Sequence, residues 1–216
     1  TVQAMADLTL WVDAFWISPY AFSSFVALEE KQLPYDVQEV AMHRAENRAP
    51  DYARRSLTAR VPMLRHGDFY LSESSAIAEY LDDAFPSAPR LLPADARQRA
   101  RARQVMAWVR SDLMPIREER STNTIFYEPA TDPLSEKARK AAEKLLTATE
   151  SLLAPGATSL FGTFSIADAD LTLMLQRLGK SGHPLGDRVQ RFVDATWARP
   201  SVRKWVERKR ATFVPY

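Results

Sequence analysis

Ser18 stands directly before Pro19 in this 216-residue chain, a pairing that reads as a helix N-cap followed by proline at the first helical position. A hydroxyl placed there either caps the helix or serves an anion drawn to the positive end of the helix dipole. Ser74 opens a second helix, so its N–H and hydroxyl face outward as a ready anion site. The plainer alternative makes Ser74 an ordinary cap and Glu73 a first-turn acid. Arg103, Arg110 and Arg117 recur at seven-residue spacing, which puts all three on one face of a long helix. Such a face holds an anionic substrate or a partner subunit, or else pairs with the acids nearby. The chain has no cysteine, which removes disulfide frameworks, thiolate-ligated zinc and every mechanism needing a protein thiolate. His43, His66 and His183 have no metal-ligand spacing, and His66 reads as a turn residue. No Gly-rich phosphate loop, Walker motif or zinc signature is present, so no metal is expected.

The elements that must position these residues fall into two halves of different character. Residues 1–84 carry a net charge of −6 and residues 85–216 one of +8, a split that marks two units. A basic half raises the question of nucleic acid, but its basic residues sit among acids at helical spacing, as in Ser135-Glu-Lys-Ala-Arg-Lys-Ala-Ala-Glu-Lys144. That is a solvated helix face, and no nucleic-acid partner is expected. No apolar run approaches the roughly 18 residues of a membrane span, and no basic-then-apolar leader opens the sequence. A cytoplasmic protein without a membrane partner is the expectation.

In the first half Leu8–Val12 reads as a strand, and the helix from Ser18-Pro19 runs to about Gln32. Tyr35–Val40 reads as a second strand, parallel to the first by the crossover rule. Residues 43–57 are polar and Arg-rich, with a short helix. Val61–Arg65 and Asp68–Leu71 flank His66-Gly67 as a hairpin, and Ser74–Asp83 is the next helix. The order βαβαββα is the thioredoxin-like arrangement. A linker over 85–93 holds three prolines. Beyond it every segment reads as helix: Ala94–Arg120 with a kink or break at Met114-Pro115, Ser135–Leu153, Ala167–Leu178 opened by the Ser165-x-x-Asp168 capping pattern, Asp187–Thr196 and Ser201–Arg210. The fold class is α+β: a thioredoxin-like domain over 1–84 and an all-helical domain over 94–216.

The Ser-Pro-Tyr helix start, Val61-Pro62-Met-Leu, the Leu71-Ser-Glu-Ser-Ser-Ala-Ile77 run, the Pro-rich linker and the helical second half together resemble the cytosolic glutathione S-transferases over nearly the whole chain. Ala102-Arg103, Trp108-Val-Arg-Ser-Asp-Leu-Met-Pro-Ile-Arg-Glu-Glu-Arg120 and the Ser165–Asp168 cap resemble the bacterial members of the YfcF type. The resemblance implies a homodimer that binds glutathione as co-substrate and attacks a small electrophile, or reduces an organic hydroperoxide. It implies a cis Val61-Pro62 bond, with the Val61 backbone paired to the cysteinyl unit. The γ-glutamyl carboxylate then falls to Ser74, the ammonium to Glu73 and the glycine carboxylate to Arg60, with His43 and Arg55 as further cations. Ser18 matches the family's thiol-activating Ser or Cys, leaving open whether it is only a cap; Trp16, Ser23 and Ser24 are lesser candidates. No tyrosine occupies the first strand or its following loop, so the tyrosine-type mechanism is not expected. Trp16, Arg103 and Arg110 are candidates to face the second substrate, which Trp108 and the Arg stripe suggest is aromatic or anionic. The rival reading is a non-catalytic relative that keeps the fold as an interaction protein.

Overall fold

The computed structural model describes residues 7–216, which form two compact units: residues 7–91 together with Glu207–Tyr216, and Leu92–Val206. The first unit holds β1 (Leu8–Asp13), α1 (Pro19–Lys31), β2 (Asp36–Val40), two 3-10 turns at Met42–Arg44 and Glu46–Arg48, α2 (Pro50–Ser56), β3 (Met63–His66), β4 (Phe69–Ser72) and α3 (Ser74–Ala84). The four strands form one sheet in the order β2-β1-β3-β4. β2 runs parallel to β1, while β3 is antiparallel to both β1 and β4. The almost unbroken burial of β1 fits its central place, whereas the largely exposed residues of β2 fit an edge. α1 and α3 pack on each other. Lys31, at the end of α1, is buried there and donates to the Asp82 carboxylate at 3.1 Å and to the Phe85 carbonyl at 2.9 Å. Asp82 also accepts the Leu91 N–H, which ties the chain after α3 to that helix.

Register decides where the candidate residues fall. Asp13 pairs with Val40 at the end of β2, and Trp11 pairs with Met63 at the start of β3, which in turn pairs with Ser72 at the end of β4. The loop after β1, the segment before β3 and the start of α3 therefore leave the sheet at one edge. Ser18, Val61-Pro62 and Glu73-Ser74, spread over 57 positions of sequence, share that edge because the strands alternate direction.

The second unit holds α4 (Ala96–Ser111), α5 (Met114–Glu119), α6 (Asn123–Phe126), α7 (Glu136–Leu152), α8 (Ile166–Gly179), α9 (Asp187–Trp197) and α10 (Pro200–Val206). All but one residue of α8 is buried, because it packs against α4, α5, α6, α7 and α9. The expected helix over 94–120 is two helices. Asp112 ends α4 in an extended conformation, Leu113 adopts φ 65, and Pro115 lies in the first turn of α5. A proline there starts a helix rather than kinking one, because its missing N–H would have no partner in the first turn anyway. The last helix stops at Val206, four residues short of the expected end, and residues 207–216 group with the first unit. Arg208 and Arg210 continue the basic pattern of the helix, but their partners lie on the loop after β1.

Candidate glutathione site

The turn between β1 and α1 is held from within by Asp13. Its carboxylate, fully buried, accepts the Ile17 N–H at 2.9 Å through Oδ2 and the Ser18 N–H at 2.9 Å through Oδ1. Burial pushes the Asp13 carboxyl up from its ordinary range, and the two amide bonds with the Arg210 charge oppose that shift. Ser18 caps α1: its Oγ accepts the Ala21 N–H at 3.2 Å, and Pro19 fills the first helical position. Accepting this bond uses a lone pair and leaves the hydroxyl proton to donate elsewhere. Capping and service to an anion are therefore compatible at Ser18.

The segment leading to β3 is equally constrained. The Val61-Pro62 bond is cis, as the family resemblance implies. Upstream, Tyr52 Oη donates to the Arg60 carbonyl at 2.9 Å, Asn47 Nδ2 donates to the Ala59 carbonyl at 2.8 Å, and the Ala59 N–H donates to Ser56 Oγ. Burial drives the Tyr52 phenol well above its ordinary range, so it stays protonated and can donate. The Arg60 side chain is exposed, and Val61 and Pro62 are buried. At α3 the roles are displaced by one residue from the plain capping alternative. Glu73 occupies the cap position without a side-chain cap bond, exposed and with φ 70, while Ser74 is buried as the first helical residue. A glutamate in that backbone region is a sterically costly conformation, of the kind found where a site requires it.

Other candidates land elsewhere. Ser23 and Ser24 are completely buried inside α1 and offer no hydroxyl to a bound sulfur. Trp16 does not present its ring to a second substrate: it is buried, its Nε1 donates to Glu39 at 2.6 Å, and the Arg208 guanidinium lies 3.6 Å over its ring. His43 packs tilted against Phe15, with ring centres 4.9 Å apart, and Arg55 pairs with Asp51 and lies over Tyr70. Arg110 pairs with Asp170 at 2.6 Å and donates to the Met106 carbonyl, which is the ion-pair reading of the Arg stripe. Arg117 donates to the Val109 carbonyl from α5, so the break at Asp112–Leu113 removes it from the row. Arg103 stays exposed on α4. Trp108 donates to Asp112 and lines an opening of about 350 Å³ with Arg101 and Lys144, wholly within the helical unit. Asp13 is the site residue that the sequence reading missed; an acid closing an apolar strand five residues before Ser-Pro was the available signal. Among the described residues no cluster of acids and histidines could hold a metal ion, and no helix is long and apolar enough to cross a membrane.

The chain thus joins a thioredoxin-like unit, whose strand ends gather a helix-capping serine, a cis-proline segment and the start of α3, to a helical unit that follows it in sequence. The glutathione S-transferase N-terminal domain family matches residues 17–84, and the glutathione S-transferase C-terminal domain family matches residues 95–210. The chain belongs to the glutathione S-transferase family of enzymes. Glutathione S-transferase 1 of Dianthus caryophyllus is 30% identical over 163 residues, 76% of this chain and 73% of that protein. The crystal structure of a glutathione transferase homologue from Burkholderia gl BGR1 with bound glutathione is 43% identical, with a TM-score of 0.78 over 93% of this chain and 97% of that one. Maleylpyruvate isomerase of Ralstonia sp is 35% identical over 106 residues, 49% of this chain and 50% of that protein.

Proposed function

We propose that this chain binds glutathione along the shared sheet edge, holds its sulfur as a thiolate with the Ser18 hydroxyl, and presents that sulfur to an electrophile. The observation that carries the reading is the division of labour at Ser18, which accepts the Ala21 N–H and keeps its proton to donate. In support, β1, β3 and β4 are neighbours and span about 10 Å, close to the roughly 10 Å reach of an extended tripeptide. On this reading the γ-glutamyl carboxylate meets the first-turn amides of α3 at Ser74 and the ammonium meets Glu73. The Val61 backbone, before Pro62, pairs with the cysteinyl unit, and Arg60 meets the glycine carboxylate. Glutathione bound in the Burkholderia homologue supports this choice of ligand.

In the reaction the glutathione thiol loses its proton to solvent, the sulfur lone pair forms a bond to the electrophilic carbon, and the leaving group departs with its bonding pair. With an organic hydroperoxide, sulfur attacks the distal oxygen and an alcohol leaves; a second glutathione then yields glutathione disulfide and water. The similarity to maleylpyruvate isomerase favours a second reading, in which the thiolate adds to a conjugated double bond, rotation follows, and sulfur leaves again without net change in atoms. All three need the same thiolate; a non-catalytic relative does not. Arg103, exposed on α4, is kept as a candidate to meet an anionic second substrate. A cytoplasmic homodimer without nucleic-acid or membrane partners completes the proposal.

Titrating the absorbance of bound glutathione thiolate against pH tests the reading. A hydroxyl bonded to an anion contributes about 1.5–3 kcal/mol, so Ser18→Ala should raise the thiol pKa by roughly one to two units. Turnover at neutral pH should fall about ten- to hundredfold with affinity much less changed. Ser18→Gly is the companion, since glycine costs a cap only a few tenths of a kcal/mol. Wild-type thiol pKa and rate in both variants would make Ser18 a cap alone.

A further inference from the structure

The C-terminal tail ends on the loop that presents Ser18, although almost two hundred residues of chain separate them. Arg210 donates to the Trp16 carbonyl through Nε at 3.3 Å and through Nη2 at 3.2 Å. The Trp16 carbonyl and the Ile17 N–H belong to one peptide unit, and that N–H is the one bound by Asp13 Oδ2. One peptide is thus gripped at its oxygen by a cation and at its hydrogen by a carboxylate, in the sense that its own dipole favours. The next amide, Ser18 N–H, lies on the other oxygen of the same carboxylate.

The loop needs holding. Trp16 has φ 55, a left-handed conformation in which the Cβ crowds the backbone of any residue but glycine. Further tail contacts surround the same peptide. Arg208 covers the Trp16 ring and lies 3.7 Å from Glu39, the acceptor of the indole N–H. Phe213 packs edge-on against Phe15 with ring centres 5.2 Å apart, and Tyr216 stacks over Phe15 at 6.2 Å. The tail therefore meets both residues that precede the Ile17-Ser18 pair.

We infer that Arg210 is a positioning residue for the thiol site: with Asp13 it fixes the Trp16–Ile17 peptide and thereby the direction in which the Ser18 hydroxyl donates. This inference rests on the reading of Ser18 given above. Arg210 touches neither sulfur nor electrophile; it acts through the peptide that leads into the cap. A peptide released at its carbonyl can rotate, which would carry the Ser18 N–H off Asp13 and turn the hydroxyl from its acceptor.

Arg210→Gln and Arg210→Lys in the full chain test it, with glutathione as the probe and the thiolate absorbance titration as the readout. Loss of this clamp should weaken the donor bond by part of its strength, so Arg210→Gln should raise the bound thiol pKa by about half a unit to one unit. Arg210→Lys, which keeps the charge and a donor, should fall between that variant and wild type. Amide exchange at Ile17 and Ser18 should speed up in Arg210→Gln while exchange in α3 does not change. Melting temperature alone does not decide the matter, because a merely structural contact would lower it too. If Ser18→Ala raises the thiol pKa and Arg210→Gln leaves it at the wild-type value, the inference about Arg210 is overturned and the Ser18 reading stands. If wild type holds no depressed thiol pKa, or Ser18→Ala leaves it unchanged, the Ser18 reading fails and this inference fails with it. Should Arg210→Gln not fold, Arg210→Lys decides by the same criterion: an unshifted pKa overturns the proposal.

Discussion

A serine hydroxyl carries two lone pairs and one proton, and at Ser18 the Ala21 amide takes only a lone pair. An amide donating onto the oxygen draws electron density away from the O–H and makes that proton a better donor to an anion. At α3 the corresponding question is whether Ser74 holds a ligand carboxylate or only starts the helix. If it holds the γ-glutamyl carboxylate, Ser74→Ala should weaken glutathione binding by about 1–3 kcal/mol, the cost of leaving a charged acceptor short of a donor. Calorimetric titration of the wild type and the variant reads this directly; unchanged affinity in a folded variant would reduce Ser74 to a helix start. Both serines were legible as helix starts, because each sits in a local pattern, Ser-Pro and Glu-Ser-Ser. Ser23 and Ser24 were misplaced as candidates for a physical reason. Positions five and six beyond a cap have turned with the helix, and here both face the interior. Asp13 escaped because an acid at a strand end reads as solvent-facing until its two amide partners are known.

Capping is where an element's sequence speaks most plainly, and α8 carries the strongest case. Asp168 Oδ2 accepts the Ser165 N–H at 2.7 Å and the Ser165 hydroxyl at 3.0 Å, while Oδ1 accepts the Leu160 N–H at 2.7 Å. Burial outweighs these bonds and pushes the carboxyl up to about 6 from an ordinary value of 3.8. The folded protein therefore binds this proton more tightly than the unfolded chain does. The stability that Asp168 contributes is full below about pH 4 and is lost as the pH rises through about 6. Subtracting the unfolding free energy of Asp168→Asn from that of wild type isolates the effect from Asp13, which burial shifts in the same direction. That difference should fall by about 2–3 kcal/mol between pH 4 and pH 7 in urea titrations; a flat or rising difference would refute it. The α4–α5 break shows the opposite limit of legibility. Met114-Pro115 marked an interruption, but the left-handed turn at Leu113 and the choice of Asp170 as the partner of Arg110 depend on packing against α8. That contact joins residues 60 apart, and helix periodicity says nothing about it.

At the scale of the whole chain, the charge imbalance and the Pro-rich stretch put the expected linker at residues 85–93, and the two units of the structure divide between Leu91 and Leu92. The second crossing was not legible. The helical pattern reads on to Arg210, whereas the helix stops at Val206, and the contacts that place residues 207–216 join Arg210 to Trp16 and Tyr216 to Phe15. Because the chain returns, the first unit is complete only when the C-terminus is present, so a chain ended after Val206 should lose stability selectively. A cation over an indole contributes roughly 0.5–2 kcal/mol and an aromatic pair about 0.5–1.5 kcal/mol. The truncated chain should therefore have β1 and α1 destabilised on the order of 1–3 kcal/mol. Hydrogen exchange followed by segment separates the units: amides of β1 and of the 14–18 loop should lose protection, and those of α8 should keep theirs. Circular dichroism should change little, since the removed residues contain no helix or strand. Equal loss of protection in α8 and β1 would refute the selectivity, and no loss in either would mean that the tail rests on the first unit without stabilising it.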